Sequence, residues 1–244
     1  MSIARLFRPI LTSLLLIAAL PALAINVERV KTPGGIEAWL VQDHTNPIIT
    51  MRFAFRGGAA LDPKGKVGLA NLVASSIDEG AGDLDSQSFQ KTLEDKAIRI
   101  RFDAGLDNFG GRLQTLARNR DEAFNLLRLA LNAPRFDTEP VERIRSQILV
   151  GLKQDEETPH NIAGKAMREA LYSGHPYGRS ADGTTDSITA ITADDLRSFV
   201  AQRLTRDTLV IGIVGNIAPA ELAELLDATF GTLPAQGTDW RVPK

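Results

Sequence analysis

The chain is organised around the stretch Arg56-Gly-Gly-Ala-Ala-Leu-Asp-Pro-Lys-Gly-Lys-Val-Gly-Leu-Ala-Asn-Leu-Val-Ala-Ser-Ser-Ile-Asp-Glu-Gly80. Its glycine-rich first half predicts a turn, and its second half predicts a short amphipathic helix. The apolar residues with the spacing of one buried helical face are Leu69, Leu72, Val73 and Ile77. A neighbouring face carries Asn71, Ala74, Ser75 and Asp78. A metal site built on this helix would lie on that second face.

The composition excludes several classes of protein. With 244 residues, the chain is long enough for one large domain or two small ones. A formal net charge of −2 gives no reason to expect nucleic acid or an anionic membrane as partner. Because the chain has no Cys, it has no disulfide, no thiolate nucleophile and no Cys-based zinc site. Its three histidines, His44, His160 and His175, are far apart in the sequence.

Residues 1–24 have the pattern of a secretory signal peptide. Arg5 and Arg8 precede an almost wholly apolar run from Ile10 to Leu20, and Ala22-Leu23-Ala24 is a small-x-small cleavage site. We expect cleavage after Ala24, a periplasmic or secreted mature protein, and no stable membrane span afterwards. The alternative is an uncleaved membrane anchor. The apolar run disfavours it, because it is shorter than the roughly 20 residues of a span.

Strand and helix patterns are mixed along residues 25–234, which we expect to form one domain. Two strands of a hairpin, a third strand at Ile48–Phe55 and a helix at Ala193–Arg203 are among the clear signals. This mixture favours an α+β fold in which helices pack on one face of a mostly antiparallel sheet. Residues 235–244 contain Pro and Gly and predict a linker-like tail.

Three local patterns make more specific predictions. The near-continuous apolar run Thr208–Val214 predicts a central strand that is covered on both faces. Gly110-Gly111 lies within another strand and indicates a bulge or a close approach of backbone. In a helix that begins at Asp85-Ser86, we expect Phe89, Leu93 and Ala97 to face inward.

The order of motifs along the mature chain resembles that of the insulinase/pitrilysin family of inverted zinc peptidases. The matching features are the strand and Gly-Gly turn before Gly68-Leu69-Ala70-x-Leu72, Glu79-Gly80, Arg143 and Arg145 on a later helix, His175-Pro176-Tyr177-Gly178, Gly183, Ile191-Thr192 and Val214-Gly215-Asn216. Each match alone is weak, but their order and spacing are fairly specific and cover essentially the whole mature chain. The resemblance implies the half-subunit fold of these peptidases, in agreement with the α+β prediction.

Active members of that family carry H-x-x-E-H on the first helix. Two histidines one turn apart bind zinc, and the glutamate takes a proton from the zinc-bound water. The matching positions here hold Asn71, Ala74 and Ser75. A further glutamate ligand, implied by the resemblance, falls at or next to Gly151. The resemblance therefore predicts no catalytic residue, no metal ligand and no bound cofactor in this chain.

Other residues could rebuild a metal site only from neighbouring segments. Asp78 and Glu79 follow the first helix, and Asp155-Glu156-Glu157 end the later one; we interpret all of them as solvated, charged helix ends. We expect His175 to brace the backbone of its loop and His44 to be exposed in a hairpin turn.

Gly151 lies inside a predicted helix, where glycine costs roughly 0.8–1 kcal/mol relative to alanine. We expect this small residue to let its helix approach the Asn71–Ser75 face closely. The two helices would then pack against each other in the place where zinc would otherwise lie.

These features predict a non-catalytic homologue that acts as partner or chamber-forming subunit of a catalytic peptidase of the same family. One alternative is a zinc metalloendopeptidase with unrecognised ligands, for which zinc would be the cofactor. Another is a stand-alone peptide-binding or structural module. Because subunits of this family usually contain two similar domains, we expect a single domain to expose an apolar face and to form a homodimer when no partner covers it.

Overall fold

The computed structural model describes residues 26–243, and the predicted signal segment lies outside the described residues. Within residues 26–243, one sheet contains the strands β1 (Glu28–Lys31), β2 (Glu37–Gln42), β3 (Ile48–Arg56), β4 (Arg99–Ala104), β5 (Asn108–Leu116) and β6 (Leu209–Gly215). Their order across the sheet is β1-β2-β6-β3-β5-β4. Every neighbouring pair is antiparallel except β2 and β6. The prediction of a mostly antiparallel sheet is confirmed.

Helices cover one face of this sheet, as the α+β prediction requires. The helices of the described residues are α1 (Leu69–Ser76), α2 (Ser86–Asp95), α3 (Arg120–Asn132), α4 (Thr138–Glu157), α5 (Pro159–Leu171), α6 (Thr185–Ala190), α7 (Ala193–Arg203) and α8 (Pro219–Phe230). Of these, α5 has no buried residue and packs against α4. The core between the two layers includes five fully buried phenylalanines: Phe55, Phe89, Phe109, Phe124 and Phe230. No helix of the described residues is long and apolar enough to cross a membrane.

The central helix α1 forms where the sequence predicts it. Gly68 precedes the helix with φ 92°, a left-handed conformation that glycine adopts without strain. The Asp62 carboxylate accepts hydrogen bonds from the backbone N–H groups of Gly68 and Ala70, at 3.0 and 3.3 Å. The predicted apolar stripe of α1 is fully or almost fully buried.

The other face of the sheet is open, and this contradicts one prediction for β6. The strand lies at the centre of the sheet, between β2 and β3, as expected. Its side chains alternate, however: Ile211 and Ile213 are buried, whereas Val210 and Val214 are each 48% exposed. The prediction that β6 is covered on both faces is wrong for this part of the chain, because helices pack on one face only.

One further local prediction was wrong, and another was confirmed in one of its two alternatives. Ala97 does not face inward; it is exposed, follows the end of α2 and has φ 51°. At Gly110-Gly111 the pairing of β5 with β3 is continuous, so there is no bulge. The close approach of backbone is confirmed, since a Cβ on Gly110 would lie 2.5 Å from the Phe53 carbonyl oxygen.

Helix α6 was not predicted; Thr184 caps it by accepting from the Ser187 N–H at 3.2 Å.

Residues 235–243 form no helix or strand, yet they lie against the domain. The Asp207 N–H donates to the Ala235 carbonyl oxygen at 3.2 Å, and the Thr238 N–H donates to that of Gln202 at 3.1 Å. The Arg56 guanidinium lies 4.9 Å from the centre of the Trp240 ring, a cation–π distance. Whether this segment links to a further domain stays a prediction.

Candidate functional site

The second face of α1 carries Asn71, Ala74 and Ser75, the residues that the resemblance assigns to the positions of the H-x-x-E-H motif. Asn71 and Ser75 are half-buried, and Ala74 is 6% exposed. The Asn71 side-chain amide donates to the Asp182 carboxylate at 3.3 Å. An amide and a hydroxyl are neutral and weak ligands for zinc, and a methyl group cannot accept a proton.

Helix α4 contacts α1, but Gly151 does not mediate the contact. A Cβ built on Gly151 would meet no atom within 4 Å. The buried part of α4 is its N-terminal half, where Val141 and Ile144 enter the core. The prediction of a close helix approach at Gly151 is wrong, because Gly151 lies on a side of α4 that has no neighbouring atom, although Ile148, Leu149 and Leu152 still pack against the core.

The acidic residues that follow α1 are not solvated helix ends. The Glu79 side chain is 13% exposed and accepts from Arg143 Nη2 at 2.6 Å and from the Ser86 hydroxyl at 2.5 Å. Burial raises the pKa of Asp78 to about 6, the nearby Glu79 charge adds to this, and Arg101 opposes it. Glu79 is therefore held in an ion pair between α1 and α4.

The acidic residues of α4 do match their predicted environment. Asp155, Glu156 and Glu157 are exposed, and Asp155 accepts from the Asn161 amide at 2.7 Å. His160 is also exposed. Across residues 26–243, no three His, Asp or Glu side chains lie together in a way that could hold a metal ion.

His175 contacts backbone groups on both sides of its ring, as expected for a residue that braces its loop. Its Nδ1 accepts from the Tyr177 N–H at 3.1 Å, and its Nε2 lies 2.8 Å from the Pro243 carbonyl oxygen. Because Nδ1 accepts, Nε2 carries the proton and donates to Pro243. His44, in the turn before β3, is exposed as predicted and lies 2.6 Å from the Asn216 side-chain oxygen.

A network around Asp62, which the sequence did not predict, positions the turn before α1. Arg179 donates to the carbonyl oxygens of Ala60 and Asp62 at 2.6 and 2.9 Å. Arg203 donates to the Leu61 carbonyl oxygen at 2.8 Å. Burial raises the pKa of Asp62 to about 6, although its N–H donors and the two arginines oppose this. Asp62-Pro63, just before the helix, is the one sequence feature that could have indicated this turn. Arg179 and Arg203 lie too far along the chain for any local pattern to connect them with it.

A cleft of about 1710 Å³ lies beside this turn, between α5 and the loops that carry His175 and Asp182. It exceeds the roughly 300–1,000 Å³ of typical small-molecule pockets. Three side chains of α5 that line it are half exposed or more: Ile162 at 50%, Met167 at 62% and Leu171 at 67%. A groove of this size and apolar character can receive a polypeptide segment.

Two comparisons of the sequence found related proteins. A family model described as "Peptidase M16 inactive domain" matches residues 190–244. The "Non-peptidase homolog YmxG" of Helicobacter pylori is 30% identical over 202 residues, which are 83% of this chain and 46% of that protein.

Solved structures share the fold. A peptidase M16 inactive domain from Pseudomonas fluorescens has a TM-score of 0.84 at 24% identity, over 90% of this chain and 53% of that one. The first half of the periplasmic protease PqqL from Escherichia coli has a TM-score of 0.76 at 16% identity, over 89% and 49%. The chain thus spans about half the length of these relatives. A family model over residues 190–244, the sequence relative and the shared fold all show that this chain is similar to the M16 peptidases, the insulinase/pitrilysin family.

Proposed function

We propose that this chain is an exported, non-catalytic member of the M16 family that works as partner or chamber-forming subunit of a catalytic peptidase. One observation carries the proposal: helix α1 presents Asn71, Ala74 and Ser75 where active relatives present two zinc ligands and a general base. Gly151, at or next to the position of the remaining ligand, also has no donor side chain.

The relatives support a non-catalytic role and a partner. The sequence relative is named a non-peptidase homologue, and the matching family model is described as an inactive domain. The chain corresponds to about half of the Helicobacter pylori homologue, the Pseudomonas fluorescens structure and the PqqL fragment, so in those proteins a second half accompanies the equivalent domain. Export is supported by the signal-like segment 1–24 and by a structural neighbour described as periplasmic.

Co-purification with a catalytic relative tests the partner role. The chain is expressed alone and together with an H-x-x-E-H-containing peptidase encoded beside it, and each preparation is assayed for zinc and for peptide cleavage. We expect no zinc and no cleavage from the chain alone, and a stable complex with chelator-sensitive cleavage from the pair. Chelator-sensitive cleavage by the chain alone would contradict the proposal and favour the zinc metalloendopeptidase.

A stand-alone peptide-binding module is the second candidate, and the cleft beside α5 favours it. Its apolar lining residues Ile162, Met167 and Leu171 are exposed without any partner chain. If the chain is recovered from its native host without a peptidase subunit but with bound peptides, this second function replaces the first. Mass spectrometry of the same material tests export, since a mature protein that begins at Ile25 is expected.

A further inference from the structure

The open face of the sheet carries an unusual row of directly paired residues. Across the strands, Trp39 pairs with Gly212, Gly212 with Arg52, Arg52 with Arg112, and Arg112 with Arg101. All five are exposed. Three arginines therefore stand side by side on β3, β5 and β4, with a glycine and a tryptophan continuing the row on β6 and β2.

Two arginines of this row, Arg52 and Arg112, form no ion pair with any described residue, whereas Arg101 lies near enough to the Asp78 carboxylate to oppose the rise in its pKa. Residues paired directly across strands have Cβ atoms about 4.5–5.5 Å apart, and like charges at such positions destabilise a sheet. None of the ion pairs formed by residues 26–243 includes Arg52, Arg101 or Arg112. Arg112 donates only to the Gln114 side chain at 3.3 Å, and Arg101 donates to a backbone carbonyl. Positive charge therefore predominates around Arg52 and Arg112 in a protein whose formal net charge is −2, although the exposed Asp103, which pairs with Gly110, lies on the same face.

The other half of the same face is apolar. Trp39 is 53% exposed, and Val210 and Val214, its neighbours on β6, are each 48% exposed. Gly212 lies between Trp39 and Arg52 and has no side chain, which leaves a groove between the two larger side chains. A Cβ built on Gly212 would meet no atom within 4 Å. Along the row, the Trp39 ring therefore lies on one side of Gly212 and the Arg52 guanidinium on the other.

A second copy of this chain fits the face poorly. In a two-fold, sheet-on-sheet dimer whose axis runs along the strands, the arginine half of each copy covers the apolar half of the other. With the axis across the strands, arginines face arginines. Either arrangement leaves the charges of Arg52 and Arg112 without acidic partners, and such burial of unpaired charge is costly.

We propose that this face binds an extended, acidic segment of another polypeptide, with an apolar residue against Trp39 and carboxylates over Arg52, Arg112 and Arg101. Strands about 4.8 Å apart place Trp39 and Arg112 about 14 Å apart, and an extended chain advances about 3.3 Å per residue. An apolar residue at position i is therefore followed by acidic residues at i+4 and i+6, all on one side of the segment. Bidentate pairing of guanidinium with carboxylate supplies the specificity. The inference rests on this face alone and holds whether or not the chain accompanies a peptidase.

The test uses the full chain and a labelled peptide, Ser-Leu-Thr-Val-Thr-Glu-Thr-Glu-Ser, whose leucine and glutamates have the required spacing. Fluorescence polarisation is expected to show saturable binding below about 1 mM that weakens with salt. The same peptide with both glutamates replaced by glutamine is expected to bind roughly tenfold more weakly.

Two variants of the face separate its charge from its shape. The double variant Arg52→Gln, Arg112→Gln is expected to weaken binding roughly tenfold. Gly212→Leu fills the groove in open space, so it is expected to abolish binding while the protein unfolds at an unchanged or higher temperature. The matched control is Lys96→Gln, Lys153→Gln, which removes two exposed cations, one after α2 and one on α4, and leaves binding unchanged.

Several results would overturn the proposal. The first is that the peptide does not bind at concentrations up to about 1 mM. The second is that the glutamine peptide binds with the same affinity as the glutamate peptide. The third is that neither face variant changes the affinity. A dimer in sedimentation that Gly212→Leu dissociates would assign the face to a second copy. Arginine-dependent binding of a single-stranded oligonucleotide or of anionic phospholipid vesicles, tighter than that of the peptide, would assign it to another polyanion.

Discussion

Arg52 lies directly opposite Arg112 across the β3–β5 ladder, and both side chains are exposed and outside any ion pair of the described residues. Elsewhere in the same row, Arg29 lies opposite Trp39 and pairs with Glu37 on the adjacent strand. One end of the row is therefore neutralised and the other is not.

Replacing one of the opposed arginines is expected to stabilise the domain. Arg112→Gln removes a like-charge cross-strand pair, and the free energy of unfolding should rise by about 0.2–1 kcal/mol at low ionic strength. The gain should shrink in high salt because exposed charges are screened. Urea unfolding at two salt concentrations measures both effects. Arg29→Gln is the matched control: it breaks an ion pair and should leave stability unchanged or lower. A loss of stability in Arg112→Gln would contradict the repulsion.

The burial of Asp62 is expected to make stability fall as the pH rises from 5 to 7.5. Its folded-state pKa is raised to about 6 by burial, above the ordinary value near 4 of an unfolded chain. Such a group stabilises the fold fully below the unfolded pKa, and this contribution is lost as the pH rises through the folded pKa. Over this window the loss should be roughly 1 kcal/mol, and Asp78 should add a similar amount. Urea unfolding at both pH values measures the sum.

Single substitutions assign this pH dependence. Asp62→Asn should remove about half of the slope, although it also weakens the hydrogen bonds to Gly68 and Ala70 and lowers stability at all pH values. Asp78→Asn should remove the other half. Asp121→Asn changes a carboxylate that is 85% exposed and serves as the control. A slope that survives both of the first two substitutions would assign the effect to other groups.

Where the determinants were local, the sequence predicted the structure closely. Helix α7 begins and ends at the predicted residues, because Thr192 and Asp195 form a reciprocal capping box that the adjacent sequence specifies. The failures involved distant partners. The apolar run of β6 could not reveal that one face lacks a covering layer, and the acidic pair after α1 could not reveal Arg143, which lies in another helix. Asn71, Ala74 and Ser75 lie on a helix, as predicted, but the turn network of Asp62, Arg179 and Arg203 has no local signature.

Two glycines should respond in opposite ways to alanine. Gly151→Ala adds a methyl group in open space within a helix, so stability should rise by roughly 0.8–1 kcal/mol. Gly58→Ala would place its Cβ 2.1 Å from the Gly105 carbonyl oxygen, so it should destabilise the turn before α1 by more than this. Thermal and urea unfolding measure both variants. No gain from Gly151→Ala would mean that the C-terminal part of α4 contacts something other than solvent.

Restoring the family motif tests the assignment of positions on α1. Asn71→His, Ser75→His and Ala74→Glu together should create weak zinc binding, since two imidazoles one helical turn apart can chelate the metal. Adding Gly151→Glu should strengthen binding toward about one zinc per chain if Gly151 is the position of the remaining ligand, because a longer side chain there meets no atom and supplies a carboxylate. Metal analysis after dialysis measures both, and Asn161→His, Lys165→His on α5 is the control for a histidine pair outside the site. If the triple variant holds no more zinc than the parent, the motif does not map onto these residues. If Gly151→Glu adds nothing while the triple variant binds, the remaining ligand position lies at Val150 or Leu152 instead.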